Sequence, residues 1–302
     1  METPTIEFSP VILFVYKRLD TLKRTCEALK ANRWAELTTL YIYSDHFKGE
    51  KDRVAVLAVR DYIHQIKGFK AVNIIEAVEN RGLANSIILG VTSILEKYGR
   101  AIVLEDDLIT SKNFLIFMNQ ALNYYQDDAR VYSIAGYTIP ITPRENEDVY
   151  FTQRASSWGW ATWIDRWDNV DWNIKDYPNF SNDLNMKRNF NRMGSDMTKM
   201  LNDQMIGKIN SWAIRWCYHQ FKTQQFTVYP VLSKVLNIGN GHGATNTRDG
   251  FSRFKTNLDT TNKISFSFKE NVQLEEYYLS QFLKQFSVFT RVKFKVLNML
   301  KF

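Results

Sequence analysis

The chain has 302 residues, 45% of them hydrophobic and 24% charged, a balance that suits one large α/β domain or a domain with an appendage and excludes a disordered chain. Lys and Arg exceed Asp and Glu by 39 to 32, but the basic residues are interspersed with acids and no recognition motif accompanies them, so nucleic acid is excluded as a partner. Two distant cysteines, Cys26 and Cys217, exclude a disulfide framework and fit a reducing cytoplasm.

In chain order, Val11 to Tyr16 is a short apolar, β-branched run bounded by Pro10 and Lys17, the pattern of a buried strand. Asp20 opens a helix in which Leu22, Cys26 and Leu29 share one face. Leu40 to Tyr43 reads as a second strand ending in Ser44-Asp45, Val54 to Ile66 as a helix, Val72 to Val78 as a strand and Leu83 to Tyr98 as a helix. Ala101 to Leu104 is a fourth strand, running straight into Glu105, Asp106 and Asp107. A helix from Asn113 to Tyr125 and a strand from Val131 to Ala135 complete the alternation. Such alternation predicts a mostly parallel sheet with helices on both faces, in which ligands bind beyond the carboxyl ends of the strands. Arg18, Asp45, Asn80, Arg81 and the acidic triplet all fall at that rim.

After about residue 140 the alternation gives way to short runs rich in Trp, Asn and Gly. Asn173 to Asn202 is polar and reads as a mobile helical excursion or loop, Lys208 to Gln220 as a helix, Phe226 to Leu232 as a strand and Asn237 to Gly250 as a Gly/Asn loop. The expected organisation is a nucleotide-binding half (1–140), an acceptor and catalytic half of the same domain (141–260) and a basic amphipathic tail (261–302). From Gln281 onward the tail holds five Lys or Arg and no acid, with Phe, Leu and Val between them, a composition suited to an anionic membrane surface. The N-terminus, with Glu2 and Glu7, does not read as a signal peptide, and no apolar stretch approaches the roughly 18 residues of a membrane span. The expected location is cytoplasmic, peripheral on the inner face of the cell membrane.

Adjacent carboxylates after a buried strand repel one another unless a cation or hydrogen-bond donors stabilise them. Their hard oxygens suit Mn²⁺ or Mg²⁺, and a metal with few protein ligands can bridge the phosphates of a nucleotide. The run from Ile102 to Leu108, followed by Asn113-Phe114, resembles the EDD variant of the DXD motif. That variant marks GT-A fold glycosyltransferases related to N-acetylglucosaminyltransferase I and to bacterial polysaccharide-biosynthesis enzymes. The resemblance spans roughly residues 8 to 250. It implies a metal-dependent, inverting enzyme moving a hexosyl or N-acetylhexosaminyl group from a UDP- or dTDP-sugar to a saccharide or lipid-linked saccharide acceptor, in surface polysaccharide assembly. On that resemblance Arg18 contacts the nucleotide, Asp45 accepts the base N3–H, and Asn80 with Arg81 lines the nucleotide-sugar site. Asp107 is the direct metal ligand assisted by Asp106, with Glu105 and Asp106 nearer the ribose and sugar.

Ser157 to Trp163 resembles the family's Gly-Trp element, which places Trp160 on the wall between donor sugar and acceptor. The loop Asn237 to Asn246 resembles a segment closing over the donor phosphates, with His242 as a phosphate or metal contact. Asn210 to Trp216 resembles a D-x-W-x-x-x-W element whose acid is the general base in inverting members. Here Asn210 and Ser211 occupy the catalytic position, and neither takes a proton near neutral pH. Asp203 is the carboxylate expected to substitute, ahead of Asp165 and Asp168. The departure also leaves room for a protein that binds a nucleotide sugar or carbohydrate without turnover. A nucleotidyltransferase would share the doubly wound topology, but it usually needs a glycine-rich phosphate loop near the first strand, and Val15 to Leu19 holds no glycine.

Overall fold

The computed structural model describes residues 8–239 and 251–300. In chain order the strands are β1 (Val11–Val15), β2 (Thr39–Ser44), β3 (Ala71–Glu76), β4 (Arg100–Glu105), β5 (Leu108–Thr110), β6 (Val131–Ala135), β7 (Val149–Thr152), β8 (Trp160–Trp163), β9 (Phe226–Pro230) and β10 (Val235–Asn237). The helices of the first half are α1 (Leu19–Lys30), α2 (Glu50–Ile63), α3 (Gly82–Tyr98) and α4 (Phe114–Tyr124). The second half carries α5 (Ile164–Trp167), α6 (Tyr177–Asn182), α7 (Leu184–Phe190), α8 (Met197–Met205), α9 (Trp212–Thr223), α10 (Glu276–Phe286) and α11 (Val288–Met299).

The main sheet has the order β3-β2-β1-β4-β8-β6-β9-β7. β3, β2, β1 and β4 are mutually parallel, β8 runs against both β4 and β6, β9 runs with β6, and β7 runs against β9. The molecule therefore has the mixed α/β architecture expected of the sequence, with a mostly parallel central sheet flanked by helices. Strand alternation sends Val11, Leu13 and Val15 into a core with α1, α4 and α10, and sends Ile12 and Phe14 into a second core under α3 and α9. β5 and β10 form a separate antiparallel pair, with Asn237 opposite Leu108. This small pair lies immediately after the triplet and brings the chain from the far half back onto it.

Two regions refine or correct the expectation. Asn173 to Asn202, read as a mobile helical excursion or loop, is helical, folding into α6, α7 and most of α8, and it is anchored because Ile174, Phe180, Phe190, Met197 and Leu201 bury a small core against α9. The tail divides. Its first part is α10, whose Tyr278, Phe282 and Phe286 are buried in the main core, so Gln281 to Phe286 belongs to a helix docked on the protein itself. Among the described residues no helix is long and apolar enough to cross a membrane.

Candidate functional site

β1 and β4 are neighbouring parallel strands, so their carboxyl ends deliver Tyr16 to Arg18 and Glu105 to Asp107 to one place. The triplet is not a solvated acidic turn: Asp106 is 3% and Asp107 9% exposed. The Arg18 guanidinium spans both, donating to Asp106 Oδ1 and lying 3.0 Å from Asp107 Oδ2. The Tyr16 backbone N–H donates to Asp106 Oδ2 at 3.3 Å. One guanidinium thus bridges two carboxyl groups, with Glu105, at the end of β4, next to them in the chain. Burial, then repulsion from Asp107 and Asp106, pushes Glu105 up to about 8 against the pull of Arg18. Burial likewise raises Asp106, to about 6, although Arg18 opposes it. Among the described residues the Glu105 carboxylate has no hydrogen-bond partner. The cluster holds more negative charge than its donors neutralise, the electrostatic condition for a cation.

Asp45 forms an adjoining cluster at the end of β2. Its Oδ1 accepts from the backbone N–H groups of His46 and Arg81, both at 2.9 Å. Its Oδ2 accepts from Gly82 N–H at 2.9 Å and from the Asn80 side chain at 3.1 Å. Asn80 Nδ2 also donates to the His46 carbonyl at 2.6 Å. Asp45 therefore fixes the start of α3, satisfying N–H groups that a helix leaves unpaired. The Arg81 side chain shares a shallow cleft with Tyr43, Ser44 and Asp45.

The structure puts Trp160 in the core instead of on a ligand wall. It is 1% exposed, with Trp212, Trp167 and Trp216 at ring-centroid separations of 5.0, 5.6 and 5.7 Å. Trp160 pairs with Val103, and both side chains enter the core beneath α3 and α9. Gly159, φ +59°, serves close packing: a Cβ there would stand 2.8 Å from Val235 Cγ1. The half-buried ring of this run is Trp158, which meets Tyr137 and Phe254. Replacing Trp160 by alanine is expected to cost about 3–5 kcal/mol in denaturant unfolding. Wild-type stability in that variant would contradict its place in the core.

Because Trp212 stacks on Trp160 while His219 lies against Tyr132 near the start of β6, α9 begins at the rim and runs down the sheet. Asn210 and Ser211 therefore stand at the rim. Ser211 caps α9, its Oγ accepting from Ile214 N–H at 3.3 Å, and its own N–H donates to Gln204 Oε1. Asn210 Oδ1 accepts from Arg215 at 3.3 Å. Asp203, on α8, pairs with Lys199 and lies 3.8 Å from Lys208. The Lys199 hydrogen bond leads the causes that lower its pKa, which makes it a weaker base. None of its polar contacts reaches the triplet. The structure thus joins Arg18 to Asp106 and Asp107, sets Asp45, Asn80 and Arg81 beside them, and leaves Asp203 and Trp160 in other networks. His242 lies outside the described residues.

One contact at the site comes from the start of the loop Asn237 to Asn246, although the strand pairing that delivers it has no signal in local sequence. The strand pair β5–β10 lays Ile238 and Gly239 on the triplet, Ile238 N–H donating to the Asp107 carbonyl at 2.9 Å. A Cβ on Gly239 would stand 2.0 Å from Asp107 Oδ2 and 3.0 Å from Arg18 Nη1.

No protein-family model and no curated protein matches the chain. Among solved structures it is similar to the mannosyltransferase PcManGT from Pyrobaculum calidifontis, in complex with GDP-Man and Mn2+, at 12% identity and a TM-score of 0.35, covering 54% of this chain and 47% of that one. It is also similar to residues 1–349 of S. aureus TarS, at 7% identity and a TM-score of 0.37, covering 74% of this chain and 58% of that one. A further S. aureus TarS structure matches at 8% identity and a TM-score of 0.31, covering 49% of this chain and 25% of that one. The chain spans about half the length of the first two structures and a quarter of the third.

Proposed function

We propose that the chain is a glycosyltransferase that binds a nucleotide sugar at the carboxyl rim of β1, β2 and β4, with Asp107 and Asp106 holding Mn²⁺ or Mg²⁺. The observation that carries this reading is the pair of buried carboxylates, Asp106 and Asp107, sharing one arginine beside Glu105 at a parallel-sheet rim. The donor set fits such an ion. Two hard carboxylates with substrate phosphates and water suit it. When bound, the ion would stabilise the charge that a nucleoside diphosphate gains on leaving.

Arg18, held by both carboxylates, would turn its guanidinium to a phosphate. Asp45 is the candidate acceptor for the N3–H of uracil or thymine, which favours a UDP- or dTDP-linked hexose or N-acetylhexosamine. Its oxygens are already engaged, so the base would enter by exchange with the Asn80 amide. Asn80, Arg81, Glu105 and Asp106 complete the donor site. The acceptor, a saccharide or lipid-linked saccharide, would approach from the side of Trp158 and the start of α9. Inversion requires a carboxylate base there, and Asp203 would serve only by leaving its lysines.

That last requirement favours a second reading, donor binding without turnover, because Asn210 and Ser211 occupy the expected base position. A thermal-shift screen of nucleotide sugars with Mn²⁺, followed by donor hydrolysis and transfer assays, separates the two. Stabilisation by a UDP- or dTDP-sugar with turnover supports the transferase, and stabilisation alone supports the binding protein. No stabilisation by any nucleotide sugar would remove both.

A further inference from the structure

The exposed face of α11 is organised around charge. At 3.6 residues per turn, Val288, Phe289, Val292, Val296, Met299 and Leu300 fall within one arc about 120° wide. All six are exposed, Phe289 at 78% and Leu300 at 77%. Lys295 borders one edge of this arc and Lys293 the other, and both are exposed. From Gln281 to the end of the chain there is no acid. The opposite side of the helix is tied to the protein by polar contacts. Arg291 Nη1 donates to Ser195 Oγ at 3.0 Å. The Asn298 side chain makes two bonds with the Phe251 backbone, accepting from its N–H at 2.6 Å and donating to its carbonyl at 3.1 Å. The arc therefore faces away from the molecule on a helix fixed to it.

We infer that this arc of α11 is a docking face for an anionic lipid surface, with Lys293 and Lys295 meeting the headgroups and the apolar side chains entering the acyl boundary. Charge decides between this occupant and a second copy of the chain. Both edges of the arc are basic, so two copies packed arc to arc would set lysine against lysine. An anionic surface meets both edges favourably, and long lysine side chains reach headgroups while their stems cover apolar surface. The docking element is α11 alone, since α10 spends its apolar face on the core. The contact also has a direction. The segment beginning at Phe251 is held by α11, and three residues on Phe254 packs against Trp158, 5.7 Å between ring centroids. A lipid surface on α11 would therefore lie toward the acceptor side of the site, a step that rests on the transferase reading. Lipid binding itself does not.

Co-sedimentation of the full chain with phosphatidylcholine vesicles, with and without phosphatidylglycerol, tests this without any donor. The wild type should pellet with the anionic vesicles. Lys293→Glu/Lys295→Glu and, separately, Phe289→Ser/Val292→Ser should each weaken that partition by about tenfold or more, with circular dichroism and melting temperature unchanged. A wild type that stays in solution with both vesicles, or variants that pellet as the wild type does, would overturn the inference. So would a dimer, seen by light scattering, that Phe289→Ser/Val292→Ser dissolves. Loss of vesicle binding with intact donor binding, or the reverse, would tell failure of this inference from failure of the proposed function.

Discussion

Asp107→Ala is expected to abolish the Mn²⁺ response of the protein while leaving its fold intact. In the wild type two carboxylates and one guanidinium share a buried site, Arg18 lying 3.0 Å from Asp107 and hydrogen-bonded to Asp106. Removing Asp107 takes away one negative charge from a cluster in which like charges already oppose one another, and Arg18 keeps Asp106 as its partner. The stability of the metal-free variant should therefore stay within about 1 kcal/mol of wild type. The loss falls on cation binding and on the leaving diphosphate. A metal ion contributes several kcal/mol to such a step. At about 1.4 kcal/mol per factor of ten, donor turnover should fall by about a thousandfold. Two measurements check this, the thermal shift on adding Mn²⁺ and nucleoside diphosphate release from the donor. Asp107→Asn, which keeps the shape but loses the charge, should follow in direction. A full Mn²⁺ response in Asp107→Ala would remove the metal assignment, whatever its turnover.

The meeting of Arg18 with Asp106 and Asp107 was legible in the sequence for a topological reason. Two apolar runs, Val11 to Val15 and Ala101 to Leu104, fall in adjacent parallel strands, and polar residues just past such strands must share a rim. Local pattern suffices for that inference. The second half resisted it because its strands are short and their partners remote. Trp160 to Trp163 is buried throughout, so it lacks the polar alternation that marks a half-exposed strand. Three-residue β10 pairs with β5, more than a hundred residues earlier in the chain. The position of Trp160 near the rim was readable, but the direction of its ring was not. Strand alternation sends that ring into the core under α9 with Val103, while Trp158, two residues earlier, remains half exposed. The cluster of Arg154 and Arg253 around buried Asp196 left no trace in local sequence, for its members come from three separate segments.

The missing acid at Asn210 and Ser211 acquires a physical meaning from α9. These residues stand at the rim, yet both are committed to the helix start, Ser211 as its cap and Asn210 to Arg215. Capping chemistry accounts for serine there without any catalytic role. Asp203 is engaged by lysines on its own surface. On the transferase reading both the donor side, where Asp45 would give up Asn80, and the base, where Asp203 would leave its lysines, require rearrangement.

The glycine beside the triplet leads to the second large effect. Gly239→Ala is expected to weaken the Mn²⁺ response by about 10- to 100-fold, the scale on which groups that orient metal ligands act. The methyl group adds no charge and removes no ligand. It would, however, stand 2.0 Å from Asp107 Oδ2 and 2.8 Å from Asp107 Cγ, with Arg18 Nη1 at 3.0 Å. Carboxylate, guanidinium and methyl cannot share that space. Either Asp107 turns from its place or the chain after β10 lifts away, breaking the bond from Ile238 N–H to the Asp107 carbonyl. Both routes disturb the same carboxylate that Asp107→Ala deletes. Gly49→Ala is the matched control, since nothing lies within 4 Å of its added Cβ. Titrating Mn²⁺ against melting temperature should separate the two glycines, with Gly49→Ala following wild type. A Gly239→Ala protein that follows wild type as well would mean that Asp107 does not need the position the β5–β10 pair gives it.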